Sequence, residues 1–132
     1  MARSRVTEPS RPREEGASTS QGHSLSIFRR AIERGNLTIA EATARELLRI
    51  SLTDALELTI LIACKDPRRH PRVAARWLLR YLEEDPETTI DEAALAASCL
   101  APLPGFGQAD AAQVLRAMAE RATRRRGARG VA

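Results

Sequence analysis

Between residues 24 and 124 apolar positions return every third or fourth residue, the spacing that places them on one side of an α-helix. Chain breakers cut this stretch into six predicted helices. The first runs from about Ser24 to Arg34 and stops at Gly35-Asn36, a pair suited to a left-handed exit. The second covers Thr38 to Arg49, and the third follows with hardly a loop from Ser51 to Lys65. It ends before Asp66-Pro67, because proline disfavours helical geometry in the residue that precedes it. Pro71 suits the opening turn of a fourth helix that runs to Glu84. The fifth covers Thr89 to Ala101, residues 102–107 form a loop, and the sixth runs from Gln108 to Arg124. No segment alternates in the manner of a strand.

Three of these starts share one pattern: a hydroxyl residue, an aliphatic residue, any residue, an acid, then alanine. It appears as Thr38-Ile39-Ala40-Glu41-Ala42, Ser51-Leu52-Thr53-Asp54-Ala55 and Thr89-Ile90-Asp91-Glu92-Ala93. The hydroxyl can accept from an unpaired N–H of the first turn while the acid three residues on reaches back, which is the spacing of a capping box. Glu41 and Glu92 fit that box, and Asp54 is its shorter variant. Leu37 and Ile50 precede the first two caps, as hydrophobic staples would.

At 100° per residue the fourth helix is apolar over most of its circumference: Val73, Ala74, Ala75, Trp77, Leu78, Leu79, Tyr81 and Leu82 leave only a narrow strip for Arg69, Arg72, Arg76, Arg80 and Glu83. Such a helix is expected at the centre, paired with the third, whose Leu52, Leu56, Leu58, Ile60 and Ile62 leave Thr53, Asp54, Glu57 and Lys65 to one side. The fifth helix is alanine-rich, and the sixth carries one stripe of Ala111, Val114, Leu115, Met118 and Ala122.

The two later hairpins look alike. LTDALELTILIA followed by AARWLLRYL compares with IDEAALAASCLA followed by AAQVLRAMA, at offsets of 38 and 37 residues. Paired helices at this period resemble HEAT-like and related α-solenoid repeats, which implies units that bury their faces by stacking. The chain also resembles small all-helical proteins of high-GC bacteria, a likeness that implies no activity. The expected fold class is all-α: about six short helices, arranged either as stacked antiparallel hairpins or as a compact bundle, since both satisfy the same apolar faces.

Charge adds less than its total suggests. The 132 residues carry a net charge of +4, and 20 of the 21 basic residues are arginine. Residues 1–22 contribute +1 and residues 123–132 contribute +4, so the body between them is close to neutral. Residues 1–22 have almost nothing to bury and are expected to form a disordered arm, and residues 125–132 a disordered basic tail, around a helical domain over 23–124. The longest apolar run, Leu58 to Cys64, is far too short to span a bilayer, and no signal peptide is recognisable. A cytoplasmic location is expected.

The inventory for chemistry is poor. His23 and His70 have no identifiable partner for general base work, and two cysteines and two histidines without ligand spacing cannot build a zinc site. His70 is expected at a helix start or on the surface, and Cys64 and Cys99 as packed thiols. Glu83, Glu84, Asp85 and Glu87 read as a solvated turn, and Gly105-Phe106-Gly107 as a connection rather than a phosphate loop, with Phe106 pinning it or exposed as a contact. No catalytic, cofactor-binding or metal-binding residue is expected, nor any cofactor or small-molecule substrate. The one candidate surface is Lys65, Arg68, Arg69, Arg72, Arg76 and Arg80, six cations accompanied within residues 65–80 only by Asp66. It could contact a partner or track phosphates, or be merely the wetted edge of a buried helix. The expected role is that of a non-catalytic helical interaction or scaffold module, binding another protein or a second copy. A nucleic-acid-associated accessory protein using this strip and both basic termini is the alternative.

Overall fold

The computed structural model describes the backbone of residues 10–131 apart from Phe106, and the side chains of residues 20–130 apart from the same residue. Six helices account for it: α1 (Ser10–Arg34), α2 (Leu37–Glu46), α3 (Leu52–Lys65), α4 (His70–Glu84), α5 (Ile90–Leu100) and α6 (Gln108–Val131). No strand occurs among the described residues, and none of the described helices is long and apolar enough to cross a membrane. The protein is all-α. It divides into two compact units, residues 1–49 and 50–132.

The first unit is the α1–α2 hairpin. Gly35 turns the chain at φ 70°, a conformation that costs glycine little, and the N–H groups of Gly35 and Asn36 close the end of α1 on Ile32 and Ala31 carbonyls. Helix α2 is capped by Asn36, whose Oδ1 accepts from the Ile39 N–H at 3.1 Å. The expected cap at Thr38 is therefore not used: asparagine two residues upstream offers the oxygen first, and Thr38 lies inside the helix. Helix α2 also stops short of Arg49, at Glu46. Helix α1 begins at Ser10, inside the stretch read as a disordered arm. Once its packed end is nucleated, each added residue costs only propagation. Residues 1–9 of that expected arm lie outside the described residues.

The second unit is a four-helix bundle. Helix α3 packs most extensively on α4, α5 packs on α6, and α6 returns to α3, so the helices close around one core. Two of its starts follow the capping pattern. The Ser51 Oγ accepts from the Asp54 N–H at 3.0 Å, and Thr89 forms the complete box, its hydroxyl accepting from Glu92 N–H while Glu92 Oε1 accepts from Thr89 N–H. The core gathers Leu52, Leu56, Trp77, Tyr81, Leu100, Leu103, Leu115 and Met118. Trp77 is 3% exposed. Its indole stacks on Tyr81 with ring centroids 5.5 Å apart, and its Nε1–H donates to the Leu52 carbonyl at 3.0 Å. Leu103, fully buried, anchors the α5–α6 loop to this core, and Gly107 lets that loop enter α6 at φ 83°. Phe106, read as a possible pin or contact, lies outside the described residues.

Helix α4 is less enveloped than its wheel predicts. Only His70, Ala74, Trp77 and Tyr81, one narrow stripe, are buried, while Ala75 is exposed and Leu79 is 56% exposed. The bundle supplies neighbours for one side of α4 and not for the apolar flank beside it. On α6 the buried stripe runs through Ala111, Ala112, Leu115, Met118, Ala119 and Ala122, and Val114 is left outside it.

Trp77→Ala is expected to cost about 3–5 kcal/mol, since it removes a large buried ring together with its hydrogen bond. Leu79→Ala is expected to be close to neutral. Chemical denaturation of the two variants checks the contrast.

Candidate functional site: the cationic edge and apolar trough of α4

The six cations singled out from the sequence do not act as one group. Arg69 Nε donates to Asp66 Oδ2 at 2.8 Å in the turn before α4. Arg80 is committed to the fold, donating through Nε to Glu84 Oε2 at 2.5 Å and through Nη2 to the Ile50 carbonyl at 2.6 Å. Lys65, Arg68, Arg72 and Arg76 are exposed and make no ion pair among the described residues. Arg72 and Arg76, one turn apart, therefore hold the central part of the strip toward solvent. Trp77 and Tyr81 face the core, away from them.

Arg76 and Arg80 border the groove between α4 and α3 with Val73 and Leu58; on the other side of α4 an apolar trough of about 350 Å³ lies between α4 and α5, lined by His70, Pro71, Ala74, Ala75, Leu78, Ala97, Leu100 and Ala101. Alanine is what opens it: of the fifth helix's alanines only Ala96 is fully buried, and Ala94, Ala97 and Ala101 remain exposed. Ile90, 88% exposed, continues the same side of α5. The trough closes at one end on His70, which is 4% exposed. Its Nε2 lies 2.8 Å from the Leu100 carbonyl, so that nitrogen carries the proton, while Nδ1 is buried without a hydrogen-bond partner. His70 opens α4, as its helix-start reading had it, while the surface alternative is corrected: Pro71 takes the exposed place in the first turn, and the ring tucks under the end of α5.

The thiols are ordinary. Cys64, expected to be buried, is exposed at the end of α3 and its Sγ accepts from Gln108 Nε2 at 2.7 Å. Cys99 packs against the core, where desolvation pushes its thiol up from the usual range and away from thiolate chemistry. Among the described residues no group of three His, Cys, Asp or Glu side chains is placed to hold a metal ion.

What the sequence reasoning missed is a clamp between the acidic corner and the last turns of α6. Asp85, expected in a solvated turn, is 1% exposed. Its Oδ2 accepts from Arg125 Nη1 at 2.9 Å, and its Oδ1 lies 3.6 Å from Arg129 Nη1. Arg126 sits 3.3 Å from Glu84 Oε1, and Arg129 Nη2 donates to the Glu84 carbonyl at 2.8 Å. Arg121 donates to Glu92 Oε2 at 2.6 Å. These pairs carry α6 through to Val131, where a disordered tail was expected over residues 125–132: the arginines are not surplus charge but counter-ions to buried carboxylate. The repeat at Arg121, Arg125 and Arg129 was the readable signal. It lies on one helical face, and the predicted α5–α6 turn brings it back to Glu84, Asp85 and Glu92.

The clamp perturbs its members. The Thr89 N–H donating into Glu92 holds that carboxyl below its ordinary 4.5. Desolvation works against this, and Arg121 and Arg125 add to it. Burial of the Arg125 guanidinium opposes its charge, but the carboxylates of Asp85 and Glu92 outweigh that and hold its pKa above the ordinary arginine value. Arg116, bonded through Nε and Nη2 to Glu57 across α3 and α6, is raised in the same direction, first by those bonds.

Comparison with protein-family models, with curated proteins and with solved structures returned no match to this chain.

Because Glu92 is depressed in the fold, its contribution to stability is present above the ordinary glutamate value of 4.5 and is lost as pH falls through the lowered value. Glu92→Gln is expected to lower the melting midpoint at neutral pH and to flatten its decline as pH falls below the ordinary glutamate value of 4.5, checked by calorimetry across acid pH. Arg125→Ala is expected to lower the midpoint, and Arg124→Ala, which removes an exposed cation with no ion pair among the described residues, to leave it unchanged.

Proposed function

We propose that the protein is a non-catalytic helical interaction module and that it holds a protein partner on the α4–α5 face. One observation carries this reading: a trough of about 350 Å³ with apolar walls stays open where a bundle could have closed it, and Leu79 and Ile90 extend its apolar surface into solvent. A concave strip with apolar walls and exposed apolar side chains beside it is the form a binding surface takes. The side chains suited to nucleophilic or acid–base work fit a structural role. His70 fastens the start of α4 to the end of α5, Cys99 packs, and the acidic corner is neutralised by α6.

The basic excess does not favour nucleic acid as first choice. The α6 arginines that supply most of it face carboxylates within the same unit, which leaves Lys65, Arg68, Arg72 and Arg76 as the exposed strip. Affinity for phosphates rises with the number of cations presented, so four support only modest retention.

The test is a photo-reactive residue placed at Ala97 in the full chain, expressed in its native cell. A discrete protein adduct is expected, and it should disappear when Leu79 and Ile90 are changed to Asp while circular dichroism stays unaltered. Adducts only to nucleic acid, or a protein adduct indifferent to those two changes, would replace this reading.

A further inference from the structure

The groove on the α3 side of α4 carries its own charge. Ala55 and Leu58 of α3 lie across from Val73 and Trp77 of α4 around about 220 Å³, and Arg76 and Arg80 stand along the α4 wall. The two arginines are not equivalent. Arg80 donates to Glu84 Oε2 and to the Ile50 carbonyl, so its charge is met within the bundle. Arg76 is exposed and has no carboxylate partner among the described residues. It stands four residues from Arg72 on one side and four from Arg80 on the other, a spacing at which like charges on a helix repel. The exposed Glu83 is seven residues away, about two turns further along α4. Local physics thus disfavours a cation at this position, and an anion in the groove would reverse the sign of that effect.

The floor sets a second condition. It is aliphatic and aromatic, and its volume of about 220 Å³ falls below the roughly 300–1,000 Å³ of clefts that enclose drug-sized molecules. One apolar group the size of a side chain fills it. The Thr59 hydroxyl and the Trp77 Nε1–H of the lining both donate to backbone carbonyls, which leaves the arginines as the donors facing an occupant.

We infer that the α3–α4 groove binds a carboxylate carried on a compact apolar body, the body against Leu58, Val73 and Trp77 and the carboxylate on the Arg76 guanidinium. A short branched aliphatic acid and the carboxyl-terminal leucine of a peptide share this chemistry. A guanidinium presents paired N–H donors that match both oxygens of such a group, and apolar walls that exclude water from one side strengthen the pair. The groove lies across α4 from the trough, and the inference stands apart from the docking reading.

Trp77 is the one tryptophan of the chain and lines the groove, so its fluorescence reports occupancy. The full chain is titrated with isocaproate, its amide and inorganic phosphate, and with a short peptide ending in leucine as free acid or amide. At low salt at least one of the two acids is expected to bind roughly tenfold tighter than its amide and than phosphate, an advantage that shrinks as salt rises. Arg76→Gln should abolish the preference for acid over amide. Arg72→Gln, which removes an equal charge outside the groove lining, should leave it unchanged, with circular dichroism showing both variants folded. Tighter binding of isocaproate assigns the groove to a small acid and tighter binding of the peptide acid to a chain terminus, and either upholds the inference. Equal binding of acid and amide, binding of neither acid, phosphate bound as tightly as the acids, or equal loss in the two arginine variants overturns it. None of these outcomes touches the Ala97 adduct, so docking on the α4–α5 face is judged separately.

Discussion

The reach of the Trp77 indole to the Leu52 carbonyl sets the spacing of α3 and α4, and the rest of the bundle is arranged around that fixed pair. The chain has one tryptophan, one tyrosine and two phenylalanines, so it cannot fill a core with rings at will. It places its tryptophan and tyrosine on successive turns of one helix and stacks them. A buried indole that left its N–H unpaired would lose much of what its area contributes, and the carbonyl at the start of α3 is what satisfies it. Alanine then lines the buried side of α6 at Ala111, Ala112, Ala119 and Ala122, because once the large rings are gathered at α4 that helix must come close to leave no void.

Local chemistry was legible in the sequence and distant chemistry was not. Ser51 and Thr89 cap the helices their patterns predicted, because a cap is settled by three or four neighbouring residues. Thr38 carried the same pattern and lost to Asn36, a competition decided by the turn geometry at Gly35. His70 sits against a carbonyl 30 residues away, a partner that no local pattern names. Wheel arithmetic placed the apolar residues of α4 correctly around its axis, yet could not say how many sides would find neighbours. The trough exists in that difference.

Arginine illustrates the same division. As a sum, the positive charge suggested an outward-looking basic protein. In place, α6 returns Arg121, Arg125, Arg126 and Arg129 to Glu84, Asp85 and Glu92, and the excess left facing solvent is smaller than the sum implies. A carboxylate as enclosed as Asp85 is tolerated because guanidinium groups arrive to meet it. Its pairing is best regarded as removal of a penalty rather than as surplus stability.

That arrangement also ties two distant stretches of the chain to one another. Asp85 ends α4, yet its counter-ion stands 40 residues further along the chain. Until the closing turns of α6 are wound, the α4–α5 corner has to keep its water. Enclosure of that corner and completion of α6 are therefore one event in the stability of the bundle, since a carboxylate buried without those turns would stand unpaired.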